Sequence, residues 1–402
     1  MANTMKSKRI TFVIEKLAQR GGGAERVLID VANALADRGH DVEIVTHEYR
    51  GKPPAYSVDR GIILSNLRPP QRGRFKKSIE PLRKALNAAH SVPVMSRVSW
   101  LNRHGSFWRR LERHLKATNP DVVIAFMPPA IKALAYAKAP AETIKIASTH
   151  NAPFQDYENP LRWDPSIIDR QRRLECLSAI DKVLVLLPEY AEYYRLDPSK
   201  IVVMPNAVKP VDSLIPTAER RKVIAVSGRL EQVKRQDLAI LAWKLIQHQF
   251  PDWSIEIYGE GSKRKELEQL ILSNGVKRVS LLGHRSDAVE RVASSAVLLH
   301  PASYEGFPLS VCEALAAGTP VIGFRECSGL NYLVSDGVNG LLSDGRNPIE
   351  SLSLSLRELL ENSALRDQLS KAGPKSVAEF SPESVIDQWE RVFEKGSDLP
   401  PA

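Results

Sequence analysis

Cysteine is scarce in this sequence: Cys176, Cys312 and Cys327 are the only three in 402 residues. An odd, widely spaced set supports neither a disulfide framework nor a zinc site, and it fits a reducing cytoplasm. Long apolar runs are missing too. No stretch approaches the ~18 to 20 consecutive apolar residues that a membrane-spanning helix needs. The polar, basic start, Met1 to Arg9, leads straight into a short strand, which argues against a secretory signal. No repeat or low-complexity tract is present. No Gly-x-x-x-x-Gly-Lys run marks an ATPase loop, and no recognised nucleic-acid module appears. No Asp-x-Asp pair or closely spaced Asp/His set offers ligands to Mg²⁺ or Mn²⁺, so no metal or other cofactor is expected.

What is present has the composition of a folded protein, 43% hydrophobic and 26% charged. The length exceeds one ordinary core and suggests two domains of about 200 residues each. The net charge of +9 is concentrated: Arg68 to Lys116 carries thirteen Lys or Arg against Glu80 and Glu112. Its aromatic companions, Phe75, Trp100, Phe107 and Trp108, suit a membrane surface. The helical spacing of Trp108, Leu111 and Leu115 instead reads Arg109 to Lys116 as an ordinary core-facing helix. For Arg72 to Leu86 two readings stay open, a solvated helix face and contact with an anionic membrane. The expected location is the cytoplasm, with peripheral placement on the inner face of the cell membrane under the second reading.

The order of elements is that of two wound sheets. In the first half, strands read at Arg9 to Ile14, Val42 to Thr46, Val122 to Phe126, Ile144 to Thr149, Lys182 to Leu186 and Ile201 to Met204. A glycine-bearing loop, Arg20-Gly21-Gly22-Gly23, opens a helix whose Val27, Leu28, Val31 and Leu35 share one face, and Gly39 stops it. The proline-rich region between Lys52 and Leu101 shows no regular pattern. Residues 208–217, with Pro210 and Pro216, read as a linker. Beyond it, strands at Val223 to Ser227, Ser254 to Tyr258, Ser280 to Leu282, Val297 to His300 and Pro320 to Phe324 alternate with helices. The expected domains are 1–207 and 218–382, with a C-terminal helix, 383–396, packing back on the first. Open parallel sheets bind ligands at the carboxyl ends of their strands, so the site is expected in a cleft between the domains.

The most informative stretch runs from Ser303 to Ile322. Two acids eight residues apart, Glu305 in a loop and Glu313 in the following helix, accept hydrogen bonds of the kind paired sugar or ribose hydroxyls donate. Gly306 permits close backbone approach, and the free amides of the first turn, near Leu309 and Ser310, suit phosphate oxygens. A second cluster, Ser227-Gly228-Arg229-Leu230 with Lys234, sits at a strand's carboxyl end. There an arginine and a lysine neutralise a diphosphate. Standing alone, each cluster also reads as helix capping or solvated loop charge.

Taken together, Glu305-Gly-Phe-Pro, Glu313 and Ala-Ala-Gly-Thr-Pro-Val-Ile resemble the family-4 retaining glycosyltransferases, whose GT-B fold is α/β with two Rossmann-like doubly wound domains. The resemblance implies that Glu305 contacts donor-sugar hydroxyls and Glu313 the ribose. The backbone of Gly306, Phe307, Pro308 and Leu309 would line the sugar and diphosphate pocket. Gly228, Arg229 and Lys234 would hold the diphosphate, although Lys234-Arg235-Gln236 stands where Lys-Gly is frequent. Tyr258-Gly259-Glu260-Gly261 and Leu282-Gly283-His284-Arg285 match loops that border the nucleotide, which brings in Gly259, His284 and Arg285. Gly22-Gly23-Ala24-Glu25-Arg26 matches the family's N-terminal glycine loop, and His150 stands where a polar residue faces the reacting centre. The implied reaction is retaining transfer of a hexose or N-acetylhexosamine from a nucleotide diphosphate sugar, UDP favoured, to a lipid-linked or polysaccharide acceptor in surface glycan synthesis. Arg229, Lys234, Glu305 and His150 would carry the catalysis, without nucleic acid as a partner. An epimerase of the same fold and a non-catalytic nucleotide-sugar-binding protein remain alternatives. A phosphorylase would need a pyridoxal phosphate lysine that nothing marks.

Overall fold

The computed structural model describes residues 6–49, 52–68, 93–159, 162–164 and 166–394, with side chains 93–96 left aside. The stretch Arg72 to Leu86, with its open membrane reading, lies outside the described residues, as do 395–396 of the expected C-terminal helix. The chain divides into two compact units, Met1–Pro205 with Ile386–Ala402, and Asn206–Val385.

The first unit holds seven parallel strands: β1 (Arg9–Ile14), β2 (Asp41–Thr46), β3 (Ile63–Asn66), β4 (Val122–Phe126), β5 (Ile144–Ser148), β6 (Lys182–Val185) and β7 (Ile201–Val203). They lie in the order β3-β2-β1-β4-β5-β6-β7. Central β4 is buried along its whole length, which its unbroken apolar run requires of a strand covered on both faces. The helix Gly23–Asp37 buries Val27, Leu28, Val31, Ala32 and Leu35. It ends in a Schellman cap: Gly39 has φ +89°, its amide bonds Ala36 O at 2.9 Å, and His40 N bonds Leu35 O at 3.1 Å.

The helix Pro382–Val392 joins this unit through Trp389, 1% exposed, which stacks on Phe126 with ring centroids 6.3 Å apart. Arg38 binds both Asp387 and Glu390 at 2.6 Å, and His40 reaches Glu390 at 3.0 Å.

The second unit holds six parallel strands: β8 (Arg221–Ser227), β9 (Ser254–Tyr258), β10 (Val279–Gly283), β11 (Ser295–His300), β12 (Val321–Phe324) and β13 (Gly340–Ser343). Their order is β10-β9-β8-β11-β12-β13. The switch point therefore falls between β8 and β11, where an open parallel sheet leaves a crevice for ligand. Residues 208–216 form no strand or helix, Thr217 opens a short 3-10 turn, Thr217–Glu219, and Val208 N bonds Phe380 O at 2.7 Å inside this unit.

The helix Leu309–Ala316 also ends in a Schellman cap, with Gly318 at φ +67° and Thr319 N bonded to Ala314 O at 2.7 Å. Arg220, 6% exposed, ties this cap down by donating to Ala317 O and Thr319 Oγ1, both at 2.6 Å. The Ala-Ala-Gly-Thr-Pro half of the long motif is therefore explained by the turn from this helix into β12.

Candidate active site

Three loops at the carboxyl edge of the second sheet interlock. Gly228 N bonds Tyr258 O at 3.0 Å, Leu230 N bonds Glu260 O at 2.9 Å, and Gly259 N bonds Gly283 O at 2.8 Å. Gly259 has φ +140°, and a Cβ there would stand 2.0 Å from Gly228 O. A Cβ on Gly261 would stand 2.2 Å from Leu230 O. Only glycine fits either position. This packing fixes Gly228, Arg229 and Gly259 in one rim.

Lys234 and Glu305 meet at the switch point. The Lys234 ammonium donates to Glu305 Oε1, and His300 Nε2 lies 2.8 Å from the same oxygen. Ser303 N bonds Val233 O at 2.9 Å, which joins the two loops by backbone as well. On its other side the Glu305 loop rests on residues 328–329: Glu305 N bonds Ser328 O at 3.0 Å, and Ser328 Oγ donates to Glu305 O at 3.2 Å. Gly329, at φ +74°, leaves only 2.8 Å between a would-be Cβ and Gly306 O. Burial pushes the Glu305 carboxyl upward, but the Lys234 charge and the His300 hydrogen bond outweigh it and hold the group at about 2. Glu305 is therefore a firmly ionised, oriented carboxylate at neutral pH.

The loop runs on through Gly306 and the buried Phe307, whose ring meets Phe380 edge-on at 5.2 Å. The Phe307 carbonyl accepts from Asn206 Nδ2 at 3.3 Å. Pro308 then caps the helix without a side-chain bond, and the first intrahelical amides are those of Val311 and Cys312, 3.0 and 3.1 Å from Pro308 O. That leaves the Leu309 and Ser310 amides at the positive end of the helix. Glu313 is half-buried one turn further on.

The remaining predicted groups sit around this centre in different states. Arg229 is exposed, and among the described residues its guanidinium forms no ion pair. Arg285 is already paired with Asp287 at 2.7 Å, while His284 is exposed beside it. Lys234 is likewise committed to Glu305, so a diphosphate would share it with that carboxylate. His300, 2% exposed, is the one member of the centre that sequence reasoning left as a strand end. Its position five residues before Glu305, on the last residue of β11, was the available signal.

In the first unit, Gly22 is the N-cap of the helix Gly23–Asp37, and a Cβ on it would stand 2.3 Å from Glu25 Oε2. Gly22, Gly23 and His150 lie at the carboxyl ends of β1 and β5, with β4 between. His150 stacks on Phe126 at 4.6 Å, and its Nε2 lies 2.9 Å from Ser148 Oγ. Burial lowers its pKa to about 3, so the imidazole is neutral at pH 7.

Beyond His150 in sequence, Asn151, Asp156, Arg162, Asp164, Asp169 and Arg173 are held by polar and ionic bonds. Asn151 Nδ2 and Arg162 Nε each donate to Asp156 Oδ1, at 3.1 and 3.0 Å. Lys132 and Arg173 flank Asp169, and Arg103 binds Asp164 at 2.6 Å. His104, Asp164 and Asp169 bring three ligand atoms within 4.8 Å of one another. An ammonium and two guanidinium groups already pair with these carboxylates.

Two doubly wound parallel units are the architecture of the GT-B class of glycosyltransferases. Comparison with known families agrees. "Glycosyltransferase Family 4" matches residues 21–211 and "Glycosyl transferases group 1" matches 214–376. The chain belongs to the family-4 type of GT-B glycosyltransferases. An uncharacterized glycosyltransferase of Haemophilus influenzae is 24% identical over 391 residues, covering 96% of this chain and 100% of that one. The lipopolysaccharide core biosynthesis glycosyltransferase LpsD of Rhizobium meliloti is 25% identical over 386 residues, covering 93% and 96%. Among solved structures, a mutant of S. aureus TarM in complex with fondaparinux, α-GlcNAc-glycerol and UDP superposes with a TM-score of 0.75 at 16% identity, covering 96% of this chain and 100% of TarM. No described helix is long and apolar enough to cross a membrane.

Proposed function

We propose that this glycosyltransferase moves a hexose or N-acetylhexosamine, with retention, from a nucleotide diphosphate sugar to a lipid-linked or polysaccharide acceptor of a surface glycan. The observation that carries the proposal is the convergence of Lys234 and His300 on Glu305 at the switch point of the second sheet. LpsD serves lipopolysaccharide core biosynthesis and TarM binds UDP, and both favour this reading with UDP as the nucleotide.

As the bond from the anomeric carbon to the phosphate oxygen breaks, positive charge builds on the sugar and negative charge on the leaving diphosphate. Fixed charges placed where that charge develops lower the barrier most. Arg229, Lys234 and the Leu309 and Ser310 amides are assigned to the diphosphate. Glu305 is assigned to the sugar hydroxyls and Glu313 to the ribose. The backbone of Gly306 to Leu309, with Gly228 and Gly259, lines the pocket, and His284 and Arg285 border the base. Gly22, Gly23 and His150 are assigned to the acceptor side, where a neutral His150 orients by hydrogen bonding and carries no charge. The reaction is metal-independent in this reading, because protein cations take the part a divalent ion would play. Peripheral work at the inner membrane face follows from the acceptor class.

A donor screen tests the reading. Nucleotide release is followed from UDP- and GDP-sugars with and without membrane lipid extract. Consumption of one sugar nucleotide only when extract is present supports transfer. Consumption without any acceptor points to an epimerase or hydrolase, and no consumption of any donor overturns the reading.

A further inference from the structure

A cavity of about 400 Å³ opens in the first unit, beyond the carboxyl ends of β1, β2 and β3. Its walls are Leu17, Ala18, Glu48, Tyr49, Lys52 and Asn66, with others. None of these residues belongs to the donor machinery assigned above. The volume lies within the range of about 300–1,000 Å³ usual for small-molecule sites and suits one or two sugar units.

The polar wall is built in advance of any ligand. The Glu48 carboxylate accepts the amides of Leu17 at 3.0 Å and Ala18 at 3.1 Å. Asn66 Nδ2 donates to Glu48 O at 2.8 Å, while its Oδ1 accepts from Arg68 N at 2.9 Å. Asn66 thereby ties the ends of β2 and β3 together and fixes where Arg68 leaves the sheet.

One cation lines this cavity and two more stand close to its wall. Lys52 lines the cavity and is exposed. The Arg68 guanidinium lies over the Tyr49 ring, 3.4 Å from its centroid. Arg110 reaches in from the helix Pro93–Thr118 and donates to Leu67 O, beside Arg68, at 3.5 Å. Among the described residues neither arginine forms an ion pair. Among the described residues two carboxylates stand near them: Glu48, whose charge is partly spent on two backbone amides, and Glu43, which accepts from Ser65 of the cavity wall and pairs with His114 at 2.9 Å. Next to Glu48, His47 stacks on Phe107 at 4.8 Å and presents a buried Nε2 with no partner. Burial first, then the charges of Arg68 and Arg110, lower the His47 pKa to about 4.

We propose that this cavity is an acceptor subsite that selects an anionic glycan, with Arg68, Arg110 and Lys52 holding a phosphate ester on the acceptor sugar. Two forked guanidinium groups and a lysine are donors of the kind a phosphate monoester accepts from. The inference rests on the transferase reading for its role but on the first unit alone for its chemistry.

The test separates the two. Binding of glucose 6-phosphate and of glucose to the full chain is measured by calorimetry, for wild type, Arg68→Gln, Arg110→Gln and the exposed Lys52→Gln. Thermal unfolding checks that each variant is folded. The phosphorylated sugar is expected to bind at least tenfold more tightly than glucose. Each arginine variant should lose most of that preference, and Arg68→Lys should restore part of it. Equal binding of the two sugars, or a preference untouched in folded variants, overturns the proposal. Loss of binding only to phosphatidylglycerol-containing vesicles, with sugar phosphate unaffected, also overturns it in favour of a lipid headgroup. If the anion preference holds while no donor sugar is consumed, the transferase reading fails and the anion site stands.

Discussion

Glu305 carries the largest share of the chemistry assigned to any residue. Lys234 and His300 share one of its oxygens, so the carboxylate is held in a single orientation without a ligand. Glu305→Gln keeps the shape and removes the charge. It is expected to slow nucleotide release about 10²- to 10³-fold, the usual effect of deleting one well-placed polar group, with little change in fold. The same residue sets an acid-stability term. Its folded pKa of about 2 lies below the ordinary 4.5, so its stabilising contribution is fully present above pH 4.5 and is lost as pH falls through 2. Wild type should lose about 3 kcal/mol more than Glu305→Gln between pH 5 and 2, read from denaturant unfolding at each pH. Equal acid sensitivity in the two proteins contradicts the ion pair. His150 behaves with the same sign for a different reason: burial lowers its pKa from 6.5 to about 3, so protonation favours the unfolded chain as pH drops below 6.5. Of this residue-scale picture, Glu305 and Lys234, which the structure brings together, could be singled out because their neighbours in sequence are distinctive. His300 was not, because its role depends on a side chain that the loop returns to it.

At the scale of elements, the two glycine loops and the C-terminal helix make separate predictions. Gly259→Ala forces a methyl group into Gly228 O at a φ that disfavours any side chain. It should cost about 3 kcal/mol or more and weaken nucleotide binding together with stability. Trp389→Ala removes a buried ring stacked on Phe126 and should destabilise the first unit by about 3–5 kcal/mol, although Trp389 lies at the other end of the chain. A smaller loss, measured by unfolding, contradicts docking of the C-terminal helix on the first unit.

The central strands were readable as apolar runs, because strands buried on both faces cannot alternate. Two of the four edge strands, β3 and β13, were not. Ile63 and Leu64 of β3 are 57% and 51% exposed, and β13 begins with a glycine packed against Val321 O. Neither carries a run or an alternation to detect. The helix Pro93–Thr118 was recognised only at its end, since Asn102 to Ser106 break its apolar stripe with polar residues and Gly105. The polar face of that break supplies Arg103 and His104 to the buried network, so tertiary pairing overrides local pattern there.

For the whole molecule, the division into two wound units follows from chain length and from the alternation of strands and helices. In the proposed reading the donor residues lie in the second unit and the acceptor cavity in the first. Charge is distributed to match: among the described residues, Lys and Arg side chains stand wherever phosphate is assigned, and the three-ligand cluster of the first unit is already held by protein cations. Turnover should therefore survive excess EDTA unchanged. Abolition by chelator with recovery on adding Mg²⁺ or Mn²⁺ contradicts metal-independent catalysis.

The most direct test of the central claim compares wild type with Glu305→Gln in one assay. Radiolabelled sugar is followed from UDP-hexoses and UDP-N-acetylhexosamines into a lipid or glycan fraction, alongside nucleotide release. Wild type should transfer label from one donor, matched mole for mole by released nucleotide, and the variant should transfer it at least ~100-fold more slowly. Transfer at equal rates in the two proteins, or no transfer by wild type from any nucleotide sugar, contradicts the claim.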